Sequence, residues 1–384
     1  MNQEPISDQH SSTKTFRRKR IHRGLVIGGL VVLLALPLAL WYYCIWMPGQ
    51  SYQQTKDHQQ TNDQQTNDQQ TSEQSQTPAD VDQASDSLTL DAELRQYVEK
   101  LSEEIGERNL GRYDQLNQAA DFLESKFQSW NFDVTRQTFV CRDMDCHNLI
   151  AEIKGTEQPE KILIVAGHYD SAVGTPGAND NGSGTAAMLA LANHFQNAKP
   201  GLTVRFVGFT NEEPPYFQNR GEMGSWVYAE LCNQRSEDII GVISLETMGY
   251  FTDEPDSQNY PEPLDQFYPS TGNFIGFVSD LASRPLQHRI IKTFREHAKV
   301  PSEGASLPSQ LPGVGWSDHW SFWQEGYQGI MVTDTAPFRY PHYHETTDTV
   351  DKIDFVRFSK VVEGLKYVIR DLAEIPDLPN PDND

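Results

Sequence analysis

Apolar residues are unevenly distributed along the chain, and the longest uninterrupted run lies near the N-terminus. Residues 24–48 read GLVIGGLVVLLALPLALWYYCIWMP and carry no charge. A helix needs about 20 apolar residues to cross a bilayer, and aromatic residues cluster at the far end of this run, as at a membrane interface. The pattern predicts one transmembrane helix, an uncleaved signal anchor. The alternative is a cleavable signal peptide, whose apolar core would be shorter and would end at small residues.

The next region has almost nothing to bury. Residues 49–88 include the repeat QQTNDQQTNDQQTSEQSQT, which is built from polar side chains. Such a composition cannot offset the entropy lost on folding and favours disorder. We predict a flexible linker that spans roughly 35 Å and separates the anchor from a folded domain.

From residue 89 onward, strand-like apolar runs alternate with helical patterns. The predicted strands are 148–153, 161–167, 203–210, 240–246, 274–280 and 329–334, and the predicted helices are 90–106, 114–129, 183–197, 223–235, 280–298 and 351–373. This alternation is typical of an α/β protein with helices on both faces of a parallel sheet. We predict a three-layer α/β sandwich with a mixed, mostly parallel central sheet over residues 89–376, and a tail at 377–384.

The charge distribution bears on topology and on partners. The net charge is −23, yet residues 1–23 contain a basic cluster just before the apolar run. Because basic residues flanking a membrane helix stay in the cytoplasm, we expect a single-pass membrane protein with a cytoplasmic N-terminus and a periplasmic or extracellular domain. The acidic remainder gives no electrostatic support for nucleic-acid binding.

The four cysteines are compatible with an exported domain. Cys141 and Cys146 flank the short segment RDMD and could form a disulfide outside the cytoplasm, with two reduced thiols as the alternative. Cys44 lies in the predicted anchor, and Cys232 would remain a buried free thiol.

Histidines and carboxylates follow several of the predicted strands, where α/β proteins collect their functional residues. The candidates are His168, Asp170, Asp180, Glu212, Glu213, Glu246, His342 and His344. Each has an ordinary structural explanation: a lone histidine is usually satisfied in the core, a glutamate pair usually faces solvent, and Asp180 could cap a helix. Their coincidence at one predicted sheet edge favours a shared site.

The glycine-rich stretch GHYDSAVGTPGANDNGSG, residues 167–184, admits two other interpretations. Gly182, Gly184 and Ala187 resemble a dinucleotide fingerprint, but the preceding strand ends about fifteen residues earlier and the acidic partner residue is missing. Nucleotide binding is therefore not expected. Ser183 lacks the G-x-S-x-G setting of a serine hydrolase. Imidazole and carboxylate ligands instead favour a pair of zinc ions, with a further carboxylate left free as a general base.

The order and spacing of these motifs resemble the co-catalytic zinc exopeptidases of the bacterial leucyl-aminopeptidase type, metallopeptidase family twenty-eight. The matching blocks are GHYDS, GANDNGSGTAAMLALA, FTNEEPP, MGSWVYA, SLETMGY, SDHWSFW and YHETTDTVDKID, which together cover about residues 145–360. This family includes glutamate carboxypeptidase and relatives of glutaminyl cyclase. The resemblance implies a zinc-exopeptidase (phosphorylase/hydrolase-like) fold and two Zn²⁺ ions per chain.

The resemblance also implies a role for each residue. His168 and Glu246 would bind one metal, Glu213 and His344 the other, and Asp180 would bridge them. Glu212 would be the general base, and Asp170 would orient His168 by a hydrogen bond. The spacing to Asp348 and Thr349 selects His344 over His342 as the ligand. Asp318 and His319 match a segment that borders the site in relatives. Many characterised relatives carry aspartate at the position of Glu246; glutamate is one methylene longer and also binds zinc.

We therefore expect a membrane-anchored zinc aminopeptidase that removes N-terminal residues from peptides. Two alternatives stay open at the level of sequence. One is a glutaminyl-cyclase-like acyltransferase with a single zinc, against which the full set of five ligands argues. The other is a non-catalytic peptidase-like ectodomain, which would usually have lost ligands.

Overall fold

The computed structural model describes residues 43–52 and 88–376. The predicted basic N-terminus (1–23), most of the predicted anchor (24–48), the greater part of the predicted linker (49–88) and most of the tail (377–384) lie outside those residues. Among the helices that the structure describes, none has the length and hydropathy needed to cross a bilayer.

The folded region consists of eight strands and eight α-helices with short 3₁₀ turns between some of them, counted over the described residues. The strands are β1 (Asp133–Cys141), β2 (Met144–Ile153), β3 (Gln158–His168), β4 (Leu202–Phe209), β5 (Asp238–Glu246), β6 (Ile275–Ser279), β7 (Ser302–Ser306) and β8 (Gly329–Thr333). The helices are α1 (Leu90–Glu99), α2 (Tyr113–Ser129), α3 (Gly182–Phe195), α4 (Gly224–Gln234), α5 (Arg284–His297), α6 (His319–Gln324), α7 (Ala336–Arg339) and α8 (Phe355–Leu372).

All eight strands form one mixed sheet in the order β1-β2-β4-β3-β5-β8-β6-β7. The central strands β4, β3, β5 and β8 run parallel to one another. On one side of this group β2 runs antiparallel to β4, and on the other side β6 runs antiparallel to β8. The predicted mixed, mostly parallel α/β sheet is thus confirmed. Both edge strands were missed, because β1 is largely polar and half exposed and β7, SEGAS, has no large apolar side chain.

Two separate apolar cores cover the two faces of the sheet. Leu163 and Val165 of β3 point into a core formed with α1, α2, α3, α5 and α8, while Ile162, Ile164 and Ala166 point into a smaller core with α4 and α6. Side chains of a strand alternate between the two faces of the sheet. A strand covered on both faces must therefore be apolar at successive positions, as ILIVA (162–166) of β3 is. The result is the predicted three-layer arrangement.

The predicted helix 90–106 is not one continuous α-helix. The α-helix α1 ends at Glu99, and a π-helical turn spans Lys100–Ile105 before the chain passes through Gly106 at φ +83°. The following residue pair, Glu107 and Arg108, leaves the helix axis, and Arg108 becomes completely buried beneath the glycine-rich stretch.

Residues 47–51 contact the edge of the sheet. Arg295 of α5 donates hydrogen bonds to the carbonyl oxygens of Met47, Pro48 and Gly49, at 3.4, 3.1 and 3.4 Å. The Ser302 N–H of β7 donates to the Ser51 hydroxyl at 2.8 Å. The start of the predicted linker therefore covers part of the edge strand, while residues 53–87 stay a prediction.

The cysteines of the β1–β2 hairpin are free thiols in the structure, so the expected disulfide is not formed. The register pairs Cys141 with Met144 and Cys146 with Phe139, which means that the two cysteines do not face each other directly. Cys146 Sγ instead accepts a hydrogen bond from Asn211 Nδ2 at 3.2 Å. Cys232 is buried and free, as expected.

Candidate metal centre

Two of the predicted ligands are the last residues of neighbouring parallel strands. His168 ends β3 and Glu246 ends β5, so both side chains leave the sheet at the same edge. His168 Nε2 lies 3.0 Å from Glu246 Oε2. The Ser317 hydroxyl donates to the same Glu246 oxygen at 2.7 Å and fixes the carboxylate in place.

The adjacent glutamates follow β4, the other neighbour of β3. Their backbone N–H groups both donate to Asp170, which accepts from Glu212 on Oδ1 and from Glu213 on Oδ2, each at 3.2 Å. Asp170 Oδ1 also lies 3.4 Å from His168 Nδ1. One buried carboxylate thus orients the β4 loop and the first histidine together, a wider role than the orientation of His168 expected from the sequence.

Asp180 lies between the two histidines. Its Oδ1 is 3.7 Å from His168 Nε2, and its Oδ2 is 3.1 Å from His344 Nε2. The backbone N–H groups of Asn179 and Asp180 donate to the two oxygens of Asp348, at 2.8 and 3.0 Å. Asp348 holds the segment so that each oxygen of Asp180 faces a different histidine, which is the position that a bridging ligand requires.

His344 comes from the loop between β8 and α8. Its Nε2 lies 3.1 Å from Glu213 Oε2, and its backbone adopts the left-handed conformation at φ +58°. The rival residue His342 contacts Thr347 on the exposed side of this loop, at 2.8 Å from Nδ1 to Oγ1. The structure therefore brings His344, and not His342, to the other candidate residues.

The six side chains form two adjoining groups of possible metal ligands. One contains His168, Glu212 and Glu246, and the other contains Asp180, Glu213 and His344. Within the described part of the chain, Asp180 Oδ2, Glu213 Oε1 and His344 Nε2 are buried and make no hydrogen bond. Buried polar atoms without a partner are costly, and imidazole with carboxylate is the donor set that zinc prefers. The residues present fit zinc.

Burial and mutual proximity shift the pKa values of these groups. Burial and the neighbouring Asp180 together raise the pKa of Glu213 to about 8, against the opposing effect of His344. Burial likewise raises the pKa of Glu212 and of Glu246. Burial lowers the pKa of His344, but its contacts with Asp180 and Glu213 outweigh this and raise it to about 10. An acidic cluster with so little solvent needs cations to neutralise it.

Tyr343 has a position that sequence reasoning missed. Its ring stacks on His344 at 3.9 Å between centroids. Burial, together with Asp180 and Glu213, raises the pKa of its phenol well above the usual range, so the hydroxyl remains protonated. Tyr343 also lines an apolar pocket that adjoins Glu246. Its place directly before a ligand histidine was visible in the sequence, but nothing there indicated where its hydroxyl lies.

The pocket beside Glu246 is formed by aromatic and aliphatic side chains. Its walls include Tyr260, Leu264, Phe274, Trp316 and Phe338, and Trp316 stacks on Phe338 with ring centroids 6.3 Å apart. Two tryptophans of the neighbouring helix α6 serve in packing. Trp320 packs edge-on against Trp226, and Trp323 donates to the Gly329 carbonyl oxygen.

Asp318 and His319 lie behind the site rather than in it. Both are completely buried. Burial raises the pKa of Asp318 to about 7, and nearby charges such as Glu246 and Asp170 act in the same direction. His319 Nε2 contacts the Val314 carbonyl oxygen at 2.9 Å, and its ring packs edge-on against Trp323. His319 therefore supports the α6 segment and is not a ligand.

Comparison with known proteins identifies the family. Residues 148–369 match the model of Peptidase family M28. The chain belongs to peptidase family M28. It is therefore a hydrolase of the zinc peptidase class. The match covers strands β3 to β8 and all candidate ligands.

Individual relatives agree with this assignment. The chain is 32% identical to YfbL of Escherichia coli strain K12, over 71% of this chain and 85% of that protein. It spans about half the length of several fungal relatives. Its fold is similar to BSAP, a zinc aminopeptidase from Bacillus subtilis, with a TM-score of 0.55, 15% identity and coverage of 75% and 95%. It is also similar to a glutaminyl cyclase from Fimbriiglobus ruber, with a TM-score of 0.54, 21% identity and coverage of 77% and 99%.

Proposed function

We propose that this M28 member is a membrane-anchored zinc aminopeptidase that hydrolyses N-terminal residues from peptides. The observation that carries the proposal is the pair of adjoining ligand groups that meet at Asp180, whose two oxygens face His168 and His344. His168 and Glu246 would hold one zinc, Glu213 and His344 the other, and Asp180 would bridge them. When bound, the two ions polarise the scissile carbonyl and lower the pKa of water.

The remaining polar groups then have defined tasks. Glu212 accepts the proton of the attacking water and later passes it to the leaving amine, since its carboxylate adjoins the ligand group of His168 without being needed as a ligand. Asp170 holds Glu212 and Glu213 through their backbone N–H groups. The protonated hydroxyl of Tyr343 can donate a hydrogen bond to the oxygen that develops negative charge.

The surroundings favour a free N-terminus over an internal peptide segment. With two zinc ions compensating the ligand carboxylates, the non-ligand carboxylates of Glu212 and Asp170 would still leave negative charge that attracts an α-ammonium group. The pocket next to Glu246 is apolar and aromatic, so it suits an apolar side chain on the N-terminal residue. We therefore propose peptides that begin with a large apolar residue as the preferred substrates.

The decisive experiment measures amino acids released from short peptides by the zinc-loaded protein. Peptides beginning with Leu or Phe should be cleaved, and their N-acetylated forms should not. Glu212→Gln should keep its zinc and lose about 10²–10⁴-fold in kcat. An unchanged rate in Glu212→Gln, or no amino acid release by the wild type, would exclude the proposal.

The glutaminyl cyclase alternative is favoured only by the likeness of fold. A peptide with N-terminal glutamine separates the two reactions, because an aminopeptidase releases free glutamine and a cyclase leaves pyroglutamate on the peptide. A zinc count near one per chain together with pyroglutamate formation would favour the cyclase.

We further propose that residues 24–48 anchor the protein and that the peptidase domain lies in the periplasm or outside the cell. The support is the uncharged apolar run behind a basic cluster. The full-length protein should remain in the membrane fraction after alkaline extraction. Added protease should reach its domain only from the outer side of the membrane. Release of the whole protein by alkali would contradict the anchor.

A further inference from the structure

Arg108 is a completely buried arginine that lies outside the ligand set, directly below the glycine-rich stretch. Its guanidinium donates to three main-chain carbonyl oxygens of that stretch: Nε to Tyr169 at 2.5 Å, Nη1 to Pro176 at 2.7 Å and Nη2 to Gly177 at 2.8 Å. Only a planar guanidinium presents several donors in such a fixed fork. Arg108 therefore holds together two parts of the stretch that are several residues apart in sequence.

The main chain of Arg108 adds to the same contact. Its N–H donates to the Ser171 hydroxyl at 3.1 Å, and its carbonyl oxygen accepts from the Ser171 N–H at 2.9 Å. The stretch is thus fixed to residue 108 at its beginning by side-chain and main-chain hydrogen bonds. A displacement of the stretch relative to Arg108 would therefore break several of these hydrogen bonds.

The carbonyl groups that Arg108 contacts flank two metal ligands. Tyr169 directly follows His168, and Gly177 lies shortly before Asp180. Between them the chain must turn back, and it does so at Gly177 with φ +62°. A Cβ atom at Gly177 would lie 2.6 Å from the Asp180 carbonyl oxygen and 2.6 Å from the Ser171 Cβ. The separation of His168 and Asp180 therefore depends on the packing of the stretch against Arg108.

The charge of Arg108 is also directed at the site. All of its side-chain hydrogen bonds in the structure go to neutral carbonyl oxygens. Burial lowers its pKa to about 10, and the neighbouring carboxylates Asp170, Asp348 and Asp180 oppose that effect. The guanidinium stays charged at neutral pH. It places a permanent cation below the acidic cluster without occupying a ligand position.

We propose that Arg108 is a positioning residue of the metal centre, which fixes the distance between His168 and Asp180 and thereby the affinity for zinc. The proposal rests on the proposed function only in that these residues bind metal. It assigns Arg108 no contact with the substrate. Its loss should therefore lower zinc affinity and kcat while leaving KM nearly unchanged.

The test compares two conservative variants of the full-length protein. Arg108→Lys keeps the charge, but a single ammonium cannot reach the three carbonyl oxygens. Arg205→Lys is the matched control, because Arg205 is also largely buried and bonded to Glu237 and Glu152. It lies in the middle of β4 and contacts the Tyr228 hydroxyl of α4, on a face of the sheet and not at the edge that carries the ligands. Zinc per chain, zinc affinity by chelator competition, thermal unfolding and the kinetic constants are measured for both.

We expect Arg108→Lys to lower zinc affinity about 10–100-fold, the range found when groups that orient metal ligands are removed. Arg205→Lys should lower the unfolding temperature and leave zinc affinity unchanged. Wild-type zinc affinity in Arg108→Lys would overturn the proposal. So would an equal loss of affinity in Arg205→Lys, because that would trace the effect to general instability.

A second variant serves if Arg108→Lys does not fold. Gly177→Ala keeps the guanidinium but strains the same turn, because its Cβ would lie 2.6 Å from the Asp180 carbonyl oxygen and 3.2 Å from Arg108 Nη1. It should weaken zinc binding in the same way, and unchanged zinc affinity would contradict the proposal. The outcome is separable from that of the proposed function. A wild-type protein that binds two zinc ions but cleaves no peptide would refute the peptidase while the zinc affinities still test Arg108.

Discussion

The two halves of the metal centre are built differently. The strand half, His168 and Glu246, consists of the last residues of two hydrogen-bonded parallel strands, and its histidine side chain is fully buried. In the loop half, Glu213 and His344, the histidine belongs to a loop without regular structure, and its side chain is 31% exposed. Asp180 is shared. The first half takes its geometry from the sheet itself.

The loop half depends on side chains that bond to the backbone. Asp348 accepts from the N–H groups of Asn179 and Asp180 and from the Tyr340 hydroxyl, the last at 2.7 Å. Hydrogen bonds of this kind are individually worth about 0.5–1.5 kcal/mol, and more when the acceptor is charged. Local opening costs less where few backbone bonds must break. The difference implies that the loop half releases its metal first.

The largest effects should come from removing one histidine of each half. Both His168→Ala and His344→Ala should lower kcat by about 10³-fold, because each removes several kcal/mol of transition-state stabilisation. Their zinc contents should differ. Wild-type protein titrated with a chelator should release zinc in two phases. His344→Ala should lack the phase of the weakly bound zinc, and His168→Ala should lack the phase of the tightly bound zinc. Zinc release in one phase, or the opposite assignment, would show that the two halves are equally firm.

A smaller effect should follow from loosening the loop half without touching a ligand. Asp348→Asn replaces one acceptor oxygen by an amide that cannot accept from the backbone N–H groups. We expect the weaker zinc site to lose about 10–100-fold in affinity and the tighter site to lose less, because both sites share Asp180 but only His344 lies on the loop that contains Asp348. Tyr340→Phe removes a single hydrogen bond to the same carboxylate and should cost at most about tenfold. Equal losses at both sites in Asp348→Asn would contradict the division into halves.

The same contrast explains what could be predicted from the sequence. Strand ends are recognisable because an apolar run stops at a polar residue, and neighbouring parallel strands bring such residues to one edge. His168, Glu212, Glu213 and Glu246 could be located by that argument alone. His344 needed the resemblance to the family, since the local pattern left His342 as a rival and only the fold directs one of them inward.

The supporting residues could not be predicted in the same way. Arg108 stands in the polar segment GERNLGR, and its partners Tyr169 and Gly177 are more than sixty residues away in sequence. No local pattern encodes such a contact. Asp348 belongs to the sequence motif that distinguishes His344 from His342. Its hydrogen bonds to the N–H groups of Asn179 and Asp180, however, form only when the loop is folded against the segment before α3. Edge strands β1 and β7 were missed because strands with one covered face or none lack an apolar run.

The last effect concerns the stability of the fold behind the strand half, and it separates unfolding from metal loss. Burial lowers the pKa of His319 to about 4, while an unfolded histidine titrates near 6.5. Between these two pKa values, His319 is protonated in the unfolded state and neutral in the folded state. This contribution to stability is complete above about pH 6.5 and is lost as the pH falls through the window down to about 4, by about 1.4 kcal/mol per pH unit.

Urea unfolding of the metal-free protein at several pH values tests this contribution. His319→Gln should be less stable than the wild type at pH 7, because Nε2 no longer contacts the Val314 carbonyl oxygen in the same way. The gap between the two proteins should narrow toward pH 4, since only the wild type loses the histidine contribution. A gap that stays constant with pH would mean that His319 takes up a proton in the folded state. In that case protonation of His319 would cost no folding free energy, and the firmness argued for the strand half would extend to acid pH.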